Sequence, residues 1–425
     1  MDPTYSDTSA GSSPKSPSQD WTLIPAKQLV QHQQVIEIDS ELPIEDACQI
    51  LIEKGISSAP IYDSHAQAYI GMFDYRDLIT YLLIVLNRTG IPPPQQTLEV
   101  KTLIRKAAQM QQVPVRLASD LSTQNPFYSI VPDTTLSHVV AIFGYGTHRM
   151  AVVSDDGQRI EGIISQSTVI KFLDQNLDRF TPLRELAAQS LQDLKLAETA
   201  VFTVNADSMV MDAMKAMVDY GVTSLAVVDS DESAGLLGNI SLTDIKYVMK
   251  KRQHQFLWRT CLELIRYAHI EQGTIDGEDK ATVFCVSPNS SLRHSIALLA
   301  ATRAHRLWVT VNTGGSSPTT SPTHGGGGSN NNNNKSSSSN SNHLAATASA
   351  SRTGTTPPTT IPVATSPPGA TVRHGLTKSH SHSVATALHL PIADTTAPTL
   401  PLTTSGRVVG IVSLTDILRV LTPSD

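Results

Sequence analysis

Apolar positions recur along this chain in a block that is written out four times. Each block opens with apolar residues three and four apart, the spacing of a helix packed on one face. A short, almost wholly apolar run follows, then a second one broken by a glycine, then another stretch of helical spacing. The first runs read GISSAPIYD (Gly55 to Asp63), GTHRMAVVS (Gly146 to Ser154), GVTSLAVVD (Gly221 to Asp229) and RAHRLWVTV (Arg303 to Val311). Their partners, YIGMFDYRDLI, IEGIISQSTVI, LLGNISLTDIK and VVGIVSLTDIL, carry the glycine at Gly71, Gly162, Gly238 and Gly410. Repetition at this length sets the whole architecture. It predicts four α/β units of βαββα order, and it points to a ligand-sensing regulatory module and away from a catalyst.

The units are expected at 34–87, 126–180, 200–253 and 283–421. In the first, ELPIEDACQILIEKG places Ile44, Ala47, Ile50 and Leu51 on one helix face, and Gly55 ends the helix as a C-cap. Trp21 is expected to anchor a lead-in segment onto the first unit. Residues 1–20 are rich in Ser, Pro and Asp and predict a disordered tail. The fourth unit is interrupted over 312–405, where the other copies have a short hairpin connection. That stretch contains GGGGSNNNNNKSSSSNSN and Thr/Pro-rich sequence, which cannot bury enough apolar area to offset ordering. A long surface insertion is tolerated because closure entropy grows only with the logarithm of length.

Composition narrows the function classes. The net charge of −6 gives no basic footprint for nucleic acid. Cys48, Cys261 and Cys285 form no C-x-x-C pair and fit small core residues in a reducing compartment. The first twenty residues carry no apolar run of a secretory signal. The most apolar helix, Leu78 to Leu86, is about half of what a bilayer crossing needs. These features lead to an expectation of a soluble protein of cytoplasm and nucleus, without membrane contact. The HSH at His380 to His382 makes a poor metal site. Ser-Pro and Thr-Pro pairs at Ser13, Ser16, Ser317, Ser321, Thr356 and Ser366 offer a group of candidate phosphorylation sites.

The apolar strand ending near Asp, the glycine-centred strand and the S/T-x-x-D opening a helix resemble the cystathionine-beta-synthase (CBS) domain. Four copies resemble the gamma subunit of the AMP-activated/Snf1 kinase. FDYRDLITYLLIVLN, SLAVVD, GNISLTDIKYVMKK and VFCVSPNSSLRHSIALLAATRAHRLWVT are more similar to the fungal Sds-type CBS family. That family is described as acting in DNA replication and cell separation and as inhibiting PP2A-type phosphatases. The resemblance implies four CBS repeats paired into two Bateman modules that form a disc. It also implies a non-catalytic role, with a PP2A-type phosphatase as partner. The alternative is an adenylate-sensing gamma subunit held by kinase alpha and beta subunits. The resemblance implies no required cofactor, but AMP, ADP or ATP as a regulatory ligand.

In nucleotide-binding CBS proteins the S/T-x-x-D carboxylate accepts from the ribose diol, and basic side chains hold the phosphates, as the donor and acceptor chemistry requires. Here Asp77, Asp244 and Asp416 stand at that carboxylate position, and Thr168 replaces it in the second repeat. His148-Arg149 and His305-Arg306 match the gamma-type basic pairs, Lys171 matches a basic helix position, and Ser57-Ser58 departs from an arginine. The most complete site combines Ser413, Thr415 and Asp416 with His148, Arg149 and His305. Each residue also has a plainer reading. The aspartates cap helices well, the His-Arg pairs can satisfy local carbonyls, and Trp308 suits core packing.

Overall fold

The computed structural model describes residues 20–89, 97–229, 235–250, 254–276, 283–311 and 407–422. All belong to one compact unit made from residues 1–313 and 372–425. The expected tail (except Asp20), the whole of the expected insertion with its His380 to His382 tract, and all six Ser/Thr-Pro pairs lie outside the described residues.

Four three-stranded sheets of one design are present. The first repeat comprises β1 (Ile38–Asp39), α1 (Ile44–Lys54), β2 (Ser58–Asp63), β3 (Ala68–Asp74) and α2 (Tyr75–Val85). After α3 (Leu98–Ala108), the second comprises β4 (Ser129–Ile130), α4 (Leu136–Gly144), β5 (Arg149–Val153), β6 (Ile160–Ser165) and α5 (Gln166–Asn176). α6 (Thr181–Ala187) then leads to β7 (Thr203–Asn205), α7 (Val210–Asp219), β8 (Ser224–Val228), β9 (Leu236–Ser241) and α8 (Ile245–Met249). α9 (Cys261–Asp276) precedes β10 (Cys285–Val286), α10 (Leu292–Thr302), β11 (Arg306–Val311), β12 (Arg407–Ser413) and α11 (Leu414–Val420).

In every repeat the short first strand pairs parallel with the second, and the second pairs antiparallel with the third. β11 and β12 pair from Arg306↔Ser413 to Val311↔Arg407, so the chain on either side of 312–406 closes one hairpin. The hairpin glycine sits opposite the same point in each copy: Ile61↔Gly71, Val152↔Gly162, Val227↔Gly238 and Val309↔Gly410. A passing segment explains the glycine. A Cβ on Gly410 would stand 2.1 Å from the Ala197 carbonyl oxygen, and one on Gly162 would stand 2.4 Å from Val30 Cβ. Only hydrogen fits beneath such a crossing.

The crossing segments are exchanged between neighbours. Residues before the first repeat dock on the second: Leu136 N–H donates to Ile24 O at 2.7 Å, and Ala26 N–H to Thr134 O at 2.7 Å. The linker after the first repeat returns to the first, with Val115 N–H on Leu42 O and Ile44 N–H on Val113 O. The same exchange relates the third and fourth repeats, through Leu292 N–H on Gln189 O and Val210 N–H on Arg259 O. Trp21 therefore packs into the core shared with Val139, Val140 and Phe143 of α4, and not onto the first repeat as its position in the chain suggested.

Two large cores follow from helix pairing. One joins the helices of the first and third repeats, the other those of the second and fourth. α1 buries Ile44, Ala47, Cys48 and Leu51, so Cys48 takes the core place expected of the half-buried Ile50. Gly55 caps that helix at φ 63°, a left-handed conformation that glycine adopts without Cβ strain. α2 is buried on all sides from Tyr75 to Leu83, which explains its unbroken apolar run. Among the described residues no helix is long and apolar enough to cross a membrane. Trp308 of β11, 2% exposed, packs against Ala226 and Leu236 and joins the sheets of the third and fourth repeats.

Candidate functional site

The helix that follows each hairpin starts with a reciprocal cap. Asp74 and Asp77, Ser165 and Thr168, Ser241 and Asp244, and Ser413 and Asp416 each form a capping box. One side chain accepts the third backbone N–H, while the residue at that third position reaches back to the first. The helix-start tetrad is thus structural in all four copies, and where it ends in aspartate a ligand role depends on what the remaining carboxylate oxygen faces.

A cavity of about 1530 Å³ reaches all four repeats. It collects Lys171, Thr168, His148 and Arg149 from the second repeat, Asp244 from the third, and His305, Arg306, Ser413 and Thr415 from the fourth. Asp77 and Asp416 are not among its lining residues. The sequence grouping of Asp416 with His148, Arg149 and His305 is therefore split, although the basic residues do converge.

Asp77 is sealed by the chain itself. Its Oδ2 accepts the Asp74 N–H at 3.1 Å and its Oδ1 the Ser122 N–H at 2.9 Å. The surrounding segment is held in place by Ser119 Oγ donating to Met72 O and by Asn125 Nδ2 donating to Asp74 Oδ2 at 3.0 Å. Burial, then the nearby Asp74 charge, raises the Asp77 carboxyl well above its usual range. Asp416 gives Oδ2 to Ser413 N–H (2.9 Å) and Ser413 Oγ (2.6 Å), while Arg419 stands 3.4 Å from Oδ1. Thr415 is also engaged, since Gln166 Nε2 donates to its Oγ1 at 2.9 Å and so ties the second repeat to the fourth.

Asp244 is different. Its Oδ2 takes the Ser241 N–H at 2.7 Å and the Ser241 Oγ at 2.8 Å, and among the described residues nothing donates to its Oδ1. Its pKa is raised, by burial first, but the carboxylate keeps contact with the cavity. Apolar side chains also line the cavity, with Val283, Phe284 and Leu299 from the fourth repeat and Ile265 from α9. The matching wing between the first and second repeats is lined by Val35, Ile36 and Ile52 and presents Thr168 where Asp244 stands. Of the two carboxylates that line the cavity, Asp74 is engaged by Arg149 and Asn125, which leaves Asp244 to accept from a diol.

Three guanidiniums meet between the wings. Arg149 lies 3.5 Å from Asp74 Oδ2, which is the carboxylate partner it has. Arg306 donates to Thr223 Oγ1 and, at 3.4 Å, to Ser224 O. Arg76 donates to Val222 O at 3.1 Å across the boundary between first and third repeats. Burial lowers the Arg76 and Arg306 pKa values, that of Arg306 to about 10, with the neighbouring Arg76 charge adding to the effect on Arg306. His148 falls to about 4 through burial and then the charges of Arg149 and Arg76. His305 also falls to about 4, through burial and then the charges of Arg306 and Arg149. Burial and the neighbouring guanidiniums thus disfavour the charged form of both histidines.

Arg76 and Asp74 escaped the sequence reading, although the sequence carried a signal. The helix-start tetrads read SQST, SLTD and SLTD in three repeats and DYRD in the first, so an arginine replaces a hydroxyl and an aspartate replaces the capping serine. Among the described residues no group of three or more His, Cys, Asp or Glu is placed to hold a metal ion.

Comparison with known proteins gives the family. The model of the CBS domain matches residues 26–84, 118–175, 192–251 and 356–423. Protein sds23 of Aspergillus niger is 33% identical over 423 residues, covering 96% of this chain and 74% of that protein. Protein SDS23 of Kluyveromyces lactis is 35% identical over 309 residues, 70% of this chain and 58% of that protein. The chain thus spans little more than half the length of this yeast relative. Among solved structures, a Methanocaldococcus jannaschii protein described as a putative archaeal homolog of g-AMPK aligns at TM-score 0.49 and 14% identity, over 68% of this chain and 93% of its own.

Proposed function

The chain belongs to the CBS-domain family, among the SDS23 and SDS24 proteins, and is a CBS regulatory protein; from that premise we propose that it holds an adenine nucleotide in the Asp244 wing and regulates a PP2A-type phosphatase by binding it. The observation that carries the ligand reading is continuity. One cavity is lined by a half-engaged carboxylate, by apolar side chains and by buried guanidiniums. A planar base suits the apolar side chains, a ribose diol suits Asp244 Oδ1, and phosphate oxygens suit the arginine forks. The phosphatase part rests on the family resemblance, and the protein acts without catalysis in this reading.

Isothermal titration of the purified chain with AMP, ADP and ATP, against the guanosine nucleotides, tests the ligand. Adenine-selective binding is expected, and its loss in Asp244→Ala with retained folding assigns the wing. Equal heats from all nucleotides, or none from any, overturn the reading. Affinity capture from growing and starved cells tests the partner. PP2A-type catalytic subunits are the expected recovery. Kinase alpha and beta subunits in their place would make the chain an adenylate-sensing gamma subunit and overturn the phosphatase proposal.

A further inference from the structure

An asparagine stands in the third repeat at a place that the other repeats give to an apolar residue. The residue after the hairpin glycine is Met72, Ile163 and Ile411 in the first, second and fourth repeats, and Asn239 in the third. β9 alternates along its length, with Leu236, Gly238 and Ile240 buried and with Leu237, Asn239 and Ser241 half-buried on the other face. Asn239 lines the cavity together with Ser241 and Asp244. Its Oδ1 is shut off from solvent, and among the described residues nothing donates to it. The residue opposite on β8 is Ala226, whose methyl has no proton to give. The equivalent pair in the second repeat is Ala151 and Ile163, so the hairpin closes as well without a carboxamide.

A buried carbonyl oxygen without a donor is unfavourable, and an isoleucine or methionine at this place carries no such cost. Native proteins rarely leave such an atom unmatched, and the neighbouring groups indicate what matches it here. Asn239 and Ser241 leave the same face of β9 about 7 Å apart. Ser241 holds Asp244 Oδ2 through its N–H and its hydroxyl. Asp244 Oδ1 is left for a ribose diol, and one step along the strand is comparable to the reach from that sugar to the far edge of its purine. We infer that Asn239 reads the base, its Oδ1 accepting from the exocyclic amine of a 6-aminopurine. A 6-oxopurine sets an acceptor against that oxygen and leaves both atoms without a proton. The wing that presents Thr168 has Ile163 at the matching place. It therefore offers neither the carboxylate nor the carboxamide, and base selection is confined to one equivalent per chain. This inference rests on the nucleotide reading of the Asp244 wing and adds to it the residue that sets base choice.

The test is calorimetric titration of the full chain and of Asn239→Ile with AMP, IMP and GMP. Asn239→Ile installs the residue of the second and fourth repeats, and Asn239→Met, the residue of the first, serves where the isoleucine variant does not fold. The parent should bind AMP at least about tenfold tighter than IMP, because a site built to receive an N–H rejects an analogue that lacks it. In Asn239→Ile the ratio should shrink to about threefold or less, through weaker AMP binding while IMP affinity holds or rises. If AMP and IMP bind the parent alike while GMP does not bind, or if IMP binds tighter than AMP, the role of Asn239 is overturned and the nucleotide reading survives. An unchanged ratio in a folded variant also overturns it, since the oxygen then meets water and another group reads the base. If no purine nucleotide binds, the nucleotide reading falls and Asn239 falls with it.

Discussion

Asp77 and Asp244 occupy the same motif position but have opposite surroundings, and replacing each by alanine separates a structural carboxyl from a ligand-facing one. In Asp77→Ala the N–H groups of Asp74 and Ser122 lose their acceptor where water does not readily reach. An unsatisfied buried donor costs about 1–3 kcal/mol, so two give about 2–6 kcal/mol. Relief of burying a carboxyl already pushed well above its usual pKa places the result in the lower half of that range. For an ordered region of this size a kilocalorie moves the thermal midpoint by about 2 °C, so a fall of about 4–8 °C is expected. Nucleotide affinity should hold, because Asp77 does not line the cavity.

Asp244→Ala should do the reverse. Loss of the cap to Ser241 costs about 1 kcal/mol, a midpoint change of about 2 °C. Loss of the bonds to a diol, about 1.5–3 kcal/mol each when charge-assisted, predicts an affinity drop of about tenfold to a hundredfold or more. Differential scanning calorimetry and titration calorimetry on both variants read the two quantities. A 2′-deoxy nucleotide refines the test, since its penalty should vanish in Asp244→Ala, which has no group left to bond the hydroxyl. The reasoning is refuted if Asp77→Ala loses affinity at an unchanged midpoint, or if Asp244→Ala binds as tightly as the parent.

Other consequences are equally direct. His148 has a folded-state pKa of about 4 against the ordinary 6.5, so the unfolded chain binds the extra proton between those values. Its contribution to stability is whole above pH 6.5 and is lost as pH falls through 4; relative to His148→Gln, the parent should lose about 1–3 kcal/mol over that window. The comparison with the variant is needed because Asp120, raised to about 6 by burial, acts in the opposite direction. Chemical denaturation at pH 7 and pH 4.5 measures the difference, and parallel pH curves for parent and variant would sink it. Asp416→Ala should leave nucleotide affinity within about threefold, as expected for a residue outside the binding wing, and a complete loss in calorimetry would restore the site grouped from sequence. Gly410→Ala drives a methyl into the Ala197 carbonyl and should destabilise by about 1–3 kcal/mol, visible as a lowered urea midpoint; an unchanged midpoint would show that the crossing segment yields freely. Trp308→Ala should cost about 3–5 kcal/mol through the lost joint between two sheets, and a loss under about 1 kcal/mol would remove that joint from the fold's support.

The repeats were legible because their signals are local. A strand that must pass beneath a crossing segment needs glycine, and a helix that starts at a hairpin needs a cap, so each copy had to keep both. The docking of Trp21 was not legible, since the exchange of lead-in segments between neighbours leaves no mark in spacing. For the same reason the sequence could not rank the aspartates. What closes Asp77 is the N–H of Ser122, and a backbone donor is invisible to side-chain motifs. Asp416 and Asp244 end the same SLTD tetrad, yet Asp416 Oδ1 has Arg419 beside it while Asp244 has the open oxygen. The basic residues fared better, because His148, Arg149, His305 and Arg306 stand at strand starts that a β-hairpin must bring to one end of its sheet.

A phosphate ligand at the centre would do more than fill a hole. Arg76 belongs to the first repeat, Arg149 to the second and Arg306 to the fourth, and two of the three are anchored on the third. Each guanidinium that turns towards phosphate weakens a contact it makes when the centre is empty. Arg149 is the clearest case, because Asp74 is both its partner and the acceptor for Asn125 in the segment that seals Asp77. Drawing Arg149 away leaves Asp74 with the backbone N–H groups of Arg76 and Asp77 and with Asn125 Nδ2. Regulation requires that ligand bind two arrangements with different affinity, and this shared carboxylate supplies a physical reason for such a difference. Asp74→Asn should then tighten nucleotide binding by removing the competing charge while keeping an acceptor for the helix cap. A variant that binds more weakly in titration calorimetry would show that Asp74 orients Arg149 for the ligand instead of competing for it.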